Sequence, residues 1–505
     1  MVTLDPPPNR PPQTTGAGGG WSMYRRILSL GKHTLIYGLG SVGTRLLGFL
    51  LIPVYTRFMS PADYGVLALC TTTAAVLQIL STAGIPSAVL RTYLLTADTD
   101  EKRDRVLGTA VMILGIVGIV ILVLLLGSRA TLAQLIFGSE QYTAFVVLIA
   151  ILNFVYLIEA LRNANFRMRE QSGRYTFFTL LAFFVNLGLG LWLVVGLRLG
   201  AWGAMLANTL TVVAIAALFL PWALRQLRRG FAAWAARDLL GFGLPLIPVG
   251  LSTWIMNLSD IYILRIFRTQ EEIGLYNLGY KFGLGIYLLT NAFKLAFPQV
   301  IFTEANRREA PVLFARVATY YCVGLGFLCL SAAIFAPEII LIADARFHSA
   351  YRVIPLAVFA YFFFGLISIL EVGIDITRKL HWLVVIFLGG AGLNIGLNLL
   401  FVPRFGMMAA AWTTLATYVV LPLGVYNVSR RLYPFHLEWS RLAKLAVLMV
   451  AVGIGSWLGP FGSLLGNVAW KAALLLAFLP GLVVLKFFTS EETDRLRHLL
   501  HRSAD

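Results

Sequence analysis

The chain reads as an all-α integral membrane protein of about fourteen transmembrane helices: two six-helix lobes in a pseudo-two-fold arrangement, followed by two C-terminal helices. Three observations predict this. Apolar stretches succeed one another from Thr34 to Phe488, the composition is too apolar for a water-soluble chain of 505 residues, and landmarks of the first half recur in the second.

A spanning helix needs roughly 20 predominantly apolar residues. By that measure the spans fall at 34–57, 63–85, 107–127, 143–162, 175–198, 201–222, 238–262, 274–300, 312–336, 351–374, 380–402, 407–430, 441–458 and 465–487. The hydrophobic fraction is 58% and the charged fraction 13%, with a mean hydropathy of +0.79. A soluble domain has no interior large enough for that much apolar surface. The runs are continuous rather than alternating segments of about ten residues, which disfavours a β-barrel.

In chain order, residues 1–33 form an N-terminal cytoplasmic segment whose prolines (Pro6, Pro7, Pro8, Pro11, Pro12) and Gly-rich run 16–20 predict disorder and no cleavable signal. The N-lobe occupies 34–222 with the first six spans, and the C-lobe 223–430 with the next six. Residues 431–487 carry the last two spans, and 488–505 form a cytoplasmic tail. Most of the 41 Lys and Arg lie in connectors on the N-terminal side, among them Arg91, Lys102, Arg103 and Arg105, then Arg162, Arg167, Arg169 and Arg174, then Arg225, Arg228, Arg229 and Arg237. The positive-inside rule therefore puts both termini in the cytoplasm. The net charge of +17 marks a face turned to anionic membrane lipid rather than to nucleic acid. Cys70, Cys322 and Cys329 all fall within spans, and the latter two are too far apart on one helix to bridge, so no disulfide is expected.

The repeat rests on ordered matches. Tyr64 and Pro86 answer to Tyr276 and Pro298, Glu159 to Glu371, and Asn186-Leu187-Gly188-Leu189 to Asn394-Ile395-Gly396-Leu397. Gly200-Ala201-Trp202-Gly203-Ala204 answers to Gly406-Met407-Met408-Ala409-Ala410. A unit of six spans is even, so both copies face the same way around an axis along the membrane normal and enclose a central cleft.

Charged and polar residues inside spans need a reason, because a cation at the bilayer centre costs about 2.5–3.5 kcal/mol even on insertion scales. Arg45 is deep in the first span and shares a face with Gly38, Ser41, Gly48 and Thr56. It reads as an anion-binding group facing an aqueous cleft, the alternative being a tie to backbone carbonyls. Lys281, with Asn277 on its side, reads either as a second cleft cation or as a snorkelling lysine. Lys294 is 13 residues further on, which turns it away from Lys281. Pro245 and Pro248 mark a bend or gate in the seventh span, whose second half stacks Thr253, Asn257 and Asp260 on one face. Asp260 reads as a solvated cap near the outer interface or as a partner for substrate or ion. Tyr64, Thr71, Gln78 and Thr82 form a similar polar stripe, suited equally to a ligand and to helix packing. Glu159 and Glu371 read as members of cytoplasmic ion pairs that latch the halves, or as proton or Na⁺ sites. The GxGxxG spelled by Gly38-Leu39-Gly40-Ser41-Val42-Gly43 follows no strand and opens a spanning helix, so it is not a nucleotide fingerprint. Neither Walker nor HExxH motifs occur and the six histidines are scattered, so no cofactor, metal or catalytic residue is expected.

The run Ile52-Pro53-Val54-Tyr55-Thr56-Arg57-Phe58-Met59-Ser60-Pro61-Ala62-Asp63-Tyr64-Gly65 resembles the opening of the polysaccharide transporter family, the Wzx-like O-antigen and exopolysaccharide flippases of the multidrug/oligosaccharidyl-lipid/polysaccharide exporter superfamily. Leu244-Pro245-Leu246 with Asp260, Ile273-Gly274-Leu275-Tyr276 with Lys281, and Pro403-Arg404-Phe405-Gly406 before Ala409-Ala410 extend the resemblance over the first twelve spans. It implies a non-enzymatic flippase of the bacterial inner membrane that moves an undecaprenyl-diphosphate-linked oligosaccharide to the outer leaflet through a cationic cleft. Arg45 and Lys281 fall where such proteins carry intramembrane cations. A frequent Asp-Arg pair is here Asp260-Ile261, so one expected cation is missing. The implied partners are the lipid-linked substrate, membrane lipids, a polysaccharide polymerase and a chain-length regulator. The alternatives are a MATE-like drug/cation antiporter, which favours an acidic cleft, and a membrane polymerase or ligase, which needs a larger outer loop than 337–350.

Overall fold

The computed structural model describes residues 49, 51–96, 99–169, 171–304, 307–459, 463–489 and 492. In chain order its helices are α1 (Ile52–Phe58), α2 (Pro61–Thr82), α3 (Ile85–Leu95), α4 (Asp100–Gly127), α5 (Arg129–Phe137), α6 (Thr143–Met168), α7 (Ser172–Gly190, extended by a π-helical turn to Gly196), α8 (Gly200–Leu227), α9 (Ala233–Gly243), α10 (Leu246–Phe267), α11 (Gln270–Glu304), α12 (Ala310–Ile334), α13 (Ile354–Leu370), α14 (Val372–Thr377), α15 (His381–Leu432), α16 (Trp439–Trp457) and α17 (Leu464–Val484). Among the described residues no strand occurs, and eleven helices are long and apolar enough to cross a membrane.

Fourteen spans were expected, and the difference arises at three places. Only the α1 portion of the first expected span lies within the described residues. The 35-residue α11, over the eighth expected span, carries Lys281 and Lys294 and is not among the eleven. The 52-residue α15 runs through Gly406, whose φ of 58° and ψ of −140° break it into two legs. The three cysteines are free and buried, as expected.

Local chemistry explains the helix ends. Ser60 and Asp63 cap α2 reciprocally: Ser60 Oγ accepts from the Asp63 N–H at 3.1 Å, and Asp63 Oδ2 accepts from the Ser60 N–H at 2.9 Å. Pro61 occupies the first helical position, where no N–H is needed. The hydroxyls of Thr73, Thr209, Thr211 and Thr319 return to the carbonyl four residues back, which satisfies them inside an apolar bundle.

One device recurs in both halves. Gly200 and Gly406 adopt φ near +56° and +58°, open to glycine at no steric cost. The N–H of the residue after each glycine donates to a carboxylate from the start of another helix: Ala201 to Asp63 Oδ1 and Met407 to Glu272 Oε2, both at 3.2 Å. The sequence match of Gly200-Ala201 to Gly406-Met407 thus has a structural counterpart.

Near their N-termini α2 and α11 cross with backbones in contact, so a Cβ on Gly65 would strike the Gln270 carbonyl and one on Gly274 the Pro61 carbonyl. Gln270 also donates to the Phe137 carbonyl at 3.3 Å and accepts from the Tyr142 hydroxyl at 2.9 Å. This end of the bundle is thus drawn together around Gln270.

Candidate functional site

A cavity of about 390 Å³ lies between the two halves, walled by Tyr55, Tyr64, Thr71 and Asn208 on one side and by Asn257, Tyr276, Asn277, Tyr280, Lys281 and Tyr361 on the other. Its position follows from the packing of α2 against α11 and of α11 against α13. Lys281, half-buried, projects its Nζ over the Tyr64 ring, 4.6 Å from the centroid. Among the described residues no carboxylate pairs with it. A cation held only by an aromatic face in a partly apolar chamber retains most of its capacity to attract an anion.

The expected residues divide sharply by location. Arg45 and Ser41 lie outside the described residues. Lys281, Asn277 and Asn257 line the cavity together. Gln78, two turns along α2 from Thr71, does not line it, and Lys294 is exposed away from it. Asn257 is fixed by its neighbours: its Nδ2 donates to the Thr253 carbonyl at 2.7 Å and its Oδ1 accepts from the Tyr418 hydroxyl at 2.8 Å.

Asp260 is not a solvated cap. It is 2% exposed, because α10 packs along the outer part of α15. Its Oδ1 accepts from the Ile261 N–H at 2.9 Å, while its Oδ2 accepts from the Tyr276 hydroxyl and from the Thr414 hydroxyl at 3.4 Å. Behind Thr414 stands a polar ladder: Asn394 Nδ2 reaches Thr414 at 3.4 Å, Asn398 Nδ2 reaches Asn394 Oδ1 at 3.1 Å, and Thr413 donates to Asn398 Oδ1 at 2.8 Å. Among the described residues no Lys or Arg pairs with Asp260. The sequence offered Tyr276 as a repeat landmark and part of a family match, and Asn394 as a repeat landmark, without their role here. The i, i+4 spacing of Asn394 and Asn398 opposite Thr413, Thr414 and Thr417 was the available signal.

Glu159 does not latch the two halves. It pairs with Arg162 on its own helix at 3.2 Å, and that buried guanidinium lies over the rings of Phe219 and Phe178 at 5.0 and 5.8 Å. Glu371, at the junction of α13 and α14, and Asp375 both lie in the field of Lys294. Pro245 and Pro248 sit where the expected seventh span divides into α9 and α10. Pro245 has no N–H to bond the carbonyl four residues back, and Pro248 removes the next such bond one turn on.

A second cavity, about 1,350 Å³ and almost wholly apolar, opens among α12, α13, the second leg of α15 and α16, with Phe359, Phe363, Trp412, Leu442 and Met449 in its walls. Lys471 at one end is neutralised by Glu338, at 2.6 and 2.8 Å from its two oxygens.

The architecture is a known transporter fold. It is similar to a lipid II flippase MurJ in an inward closed conformation (TM-score 0.71, 10% identity, covering 88% of this chain and 98% of that one). It is also similar to an inward-facing multidrug resistance MATE family transporter of the MOP superfamily (TM-score 0.59, 15% identity, 77% and 94% covered) and to a MATE in complex with MaL6 (TM-score 0.56, 14% identity, 80% and 95% covered). No curated protein matches the chain. The sequence profile of the polysaccharide biosynthesis protein family matches residues 30–302, and the chain belongs to that family.

Proposed function

We propose that this protein is a flippase that moves an undecaprenyl-diphosphate-linked oligosaccharide, an O-antigen or exopolysaccharide repeat unit, from the cytoplasmic to the outer leaflet of the bacterial inner membrane by alternating access. The observation that carries the reading is Lys281, a cation without a carboxylate partner among the described residues, in a chamber shared by both halves. A diphosphate and its sugars cannot cross hydrocarbon unaided, so the protein must supply counter-charge and hydrogen bonds at depth. Lys281 offers the charge; Asn277, Asn257 and the tyrosine hydroxyls offer the bonds. Arg45 and Ser41 are proposed to extend the same surface from the first span.

A chamber of about 390 Å³ is at the small end for a ligand site. It accommodates the diphosphate and adjacent sugar, and a full repeat unit requires a wider, inward-open form of the same cleft. The apolar cavity among α12, α13, α15 and α16 suits a prenyl chain, which meets there walls as apolar as the lipid it leaves.

Asp260 supports an ion-coupled cycle. Asp260 is excluded from water, its charge is met by three hydrogen bonds and no described cation, and a proton or a small cation such as Na⁺ would complete its neutralisation. Tyr276 touches both places, its ring in the cavity wall and its hydroxyl on Asp260. Glu159 and Glu371 are weaker coupling candidates, the former already paired with Arg162. Both termini are proposed to be cytoplasmic, with a polymerase and a chain-length regulator receiving the product.

The test is complementation of a glycan-flippase-null bacterium with wild type, Lys281→Gln, Lys281→Arg, Arg45→Ala and Arg45→Lys, scored by surface polysaccharide at matched protein levels. Loss with Lys281→Gln and Arg45→Ala, and retention with the charge-conserving pair, is expected. Full rescue by Lys281→Gln would remove the reading.

A further inference from the structure

The short loop Ala345–Arg352, between α12 and α13, packs on α11 and reaches across to α1 and Tyr64 of the first half. Helix α1 ends at Phe58, so its last carbonyls have no partners of their own. Arg346 supplies them: its Nη2 donates to the Thr56 carbonyl at 3.1 Å and to the Arg57 carbonyl at 3.2 Å. Asp344 holds that guanidinium in place, accepting from Arg346 Nε at 2.7 Å, while its own N–H donates to the Thr56 hydroxyl at 3.1 Å. The placement is favourable twice over, since a guanidinium at a helix C-terminus also meets the negative end of the helix dipole. On the inner side of the loop Phe347 is fully buried, packed edge-on to Tyr64 with centroids 5.0 Å apart.

Tyr64 therefore has two neighbours on opposite duties. Lys281 rests on its ring from the cavity, and Phe347 meets it from the loop. We propose that Tyr64 is a positioning residue that parks Lys281 when the cavity holds no anion, and that withdrawal of Lys281 toward a bound diphosphate loosens the Phe347 contact and releases the Arg346 latch that closes the outer face. The inference rests on the reading of Lys281 as the anion-binding cation. An anion removes Lys281 from the ring because a charge-assisted hydrogen bond outweighs a cation–π contact. Once Tyr64 is free to shift, the loop loses the aromatic anchor beneath it, and its hold on α1 falls to the Arg346 and Asp344 hydrogen bonds. The outcome is directional: cargo bound from the cytoplasmic side weakens the closure on the opposite side.

The experiment is pulsed electron paramagnetic resonance on full-length protein in nanodiscs, with spin labels at Gln141→Cys in the N-lobe outer loop and Ser349→Cys in the latch loop, both exposed positions. The probe is farnesyl diphosphate, its binding measured in parallel by calorimetry. In the otherwise wild-type protein the probe is expected to add a longer-distance population. Tyr64→Leu and Phe347→Ala should show that population without the probe and gain little on its addition, while Tyr64→Phe, which keeps the ring, should retain the wild-type probe-free distances. If Tyr64→Leu does not fold, Phe347→Ala and Tyr64→Phe decide alone. Unchanged probe-free distances in Phe347→Ala, or a wild-type response in Tyr64→Leu, overturn the proposal. Failure of wild type to bind the probe overturns the anion reading of Lys281 and with it the trigger, whereas the probe-free arms still judge the latch separately.

Discussion

Lys281→Met should make the protein more stable and less able to bind its cargo, and the two effects can be sized from the structure. The ammonium is half-buried and has only the Tyr64 ring, 4.6 Å away, in return for the water it has lost. A cation–π contact recovers about 0.5–2 kcal/mol, against several kcal/mol for isolating an ammonium from water. Retaining the charge therefore costs roughly 1–2 kcal/mol of stability after the half-exposure is allowed for. The same ammonium facing a phosphoryl oxygen makes a charge-assisted bond worth about 1.5–3 kcal/mol, or roughly a 10- to 150-fold change in affinity. The assay is paired: thermal unfolding of the unliganded protein in detergent, and calorimetric affinity for farnesyl diphosphate. Lys281→Met should melt higher and bind weaker by that factor, and Lys281→Arg should retain most of the affinity. A variant that melts lower than wild type, or binds within twofold of it, refutes the argument that this charge is held for an anion rather than for the fold.

Three further outcomes follow from the same geometry. Asp260→Asn, which retains hydrogen-bonding capacity at the site, should fold normally but lose any dependence of flipping in proteoliposomes on Na⁺ or a pH gradient. Asp260→Ala should in addition lose about 1–3 kcal/mol, because the Tyr276 and Thr414 hydroxyls lose their acceptor. Gly274→Leu, which would drive a side chain into the Pro61 carbonyl, should prevent outer closure; labelling of Asn277→Cys by an impermeant maleimide added outside should rise several-fold over the same cysteine in the Gly274 background. The outer latch should withstand mild acid. Hydrogen bonding from the Arg346 side chain holds the Asp344 carboxyl below the usual carboxylate range. A depressed value means that its contribution is complete above about pH 4, the ordinary Asp value, and is lost only as pH falls through the lower folded value. The distance between labels at Gln141→Cys and Ser349→Cys should therefore be unchanged from pH 7.5 to pH 5, and a transition inside that window would assign the latch to some other group.

The fold was legible because a bilayer leaves few solutions: apolar runs of spanning length have to be helices, since only helices satisfy their own backbone in hydrocarbon. The duplicated glycine loops were legible for a similarly local reason, the backbone at Gly200 and Gly406 needing a positive φ. The site was legible only in part. Lys281, Asn277 and Asn257 could be nominated because a charge or amide inside a span requires an explanation, and all three reach the cavity. Position along a span, however, does not fix depth within the protein. Asp260 counts as interfacial along α10, yet the first and second legs of α15 bury it beneath Thr414 and the asparagine ladder. Pairing across helices was equally hidden. Glu159 and Arg162 could be placed on one span by number, but only the fold shows that they pair with each other and that the guanidinium lies on Phe219 rather than joining the lobes.

The division of the expected seventh span shows where a chain built from two lobes has to bend. Its inner half, α9, packs in the N-lobe: Ala235 and Leu239 are fully buried in a core with Ile85, Val106 and Leu161, and Asp238 accepts from Thr92 at 2.6 Å and from Arg91 at 3.2 Å. Its outer half, α10, packs on α15 through Asp260, Met256 and Asn257. α10 also holds α2, where Trp254 donates to the Thr72 carbonyl at 3.1 Å and the Tyr262 and Thr73 hydroxyls lie 2.6 Å apart, so the chain gains α15 as a partner past residues 244–245 without losing its hold on the first half. A bend between α9 and α10 would leave the α9 contacts with Thr92 and Arg91 in place. Pro245 and Pro248 have already removed the hydrogen bonds that would resist it, and Gly243 lies in backbone contact with Gly84, where α2 likewise gives way to α3. Two helix breaks in contact on the side opposite the Arg346 latch put hinge and latch at different depths. Releasing the latch can therefore open the outer face without first breaking the Asp238 contacts.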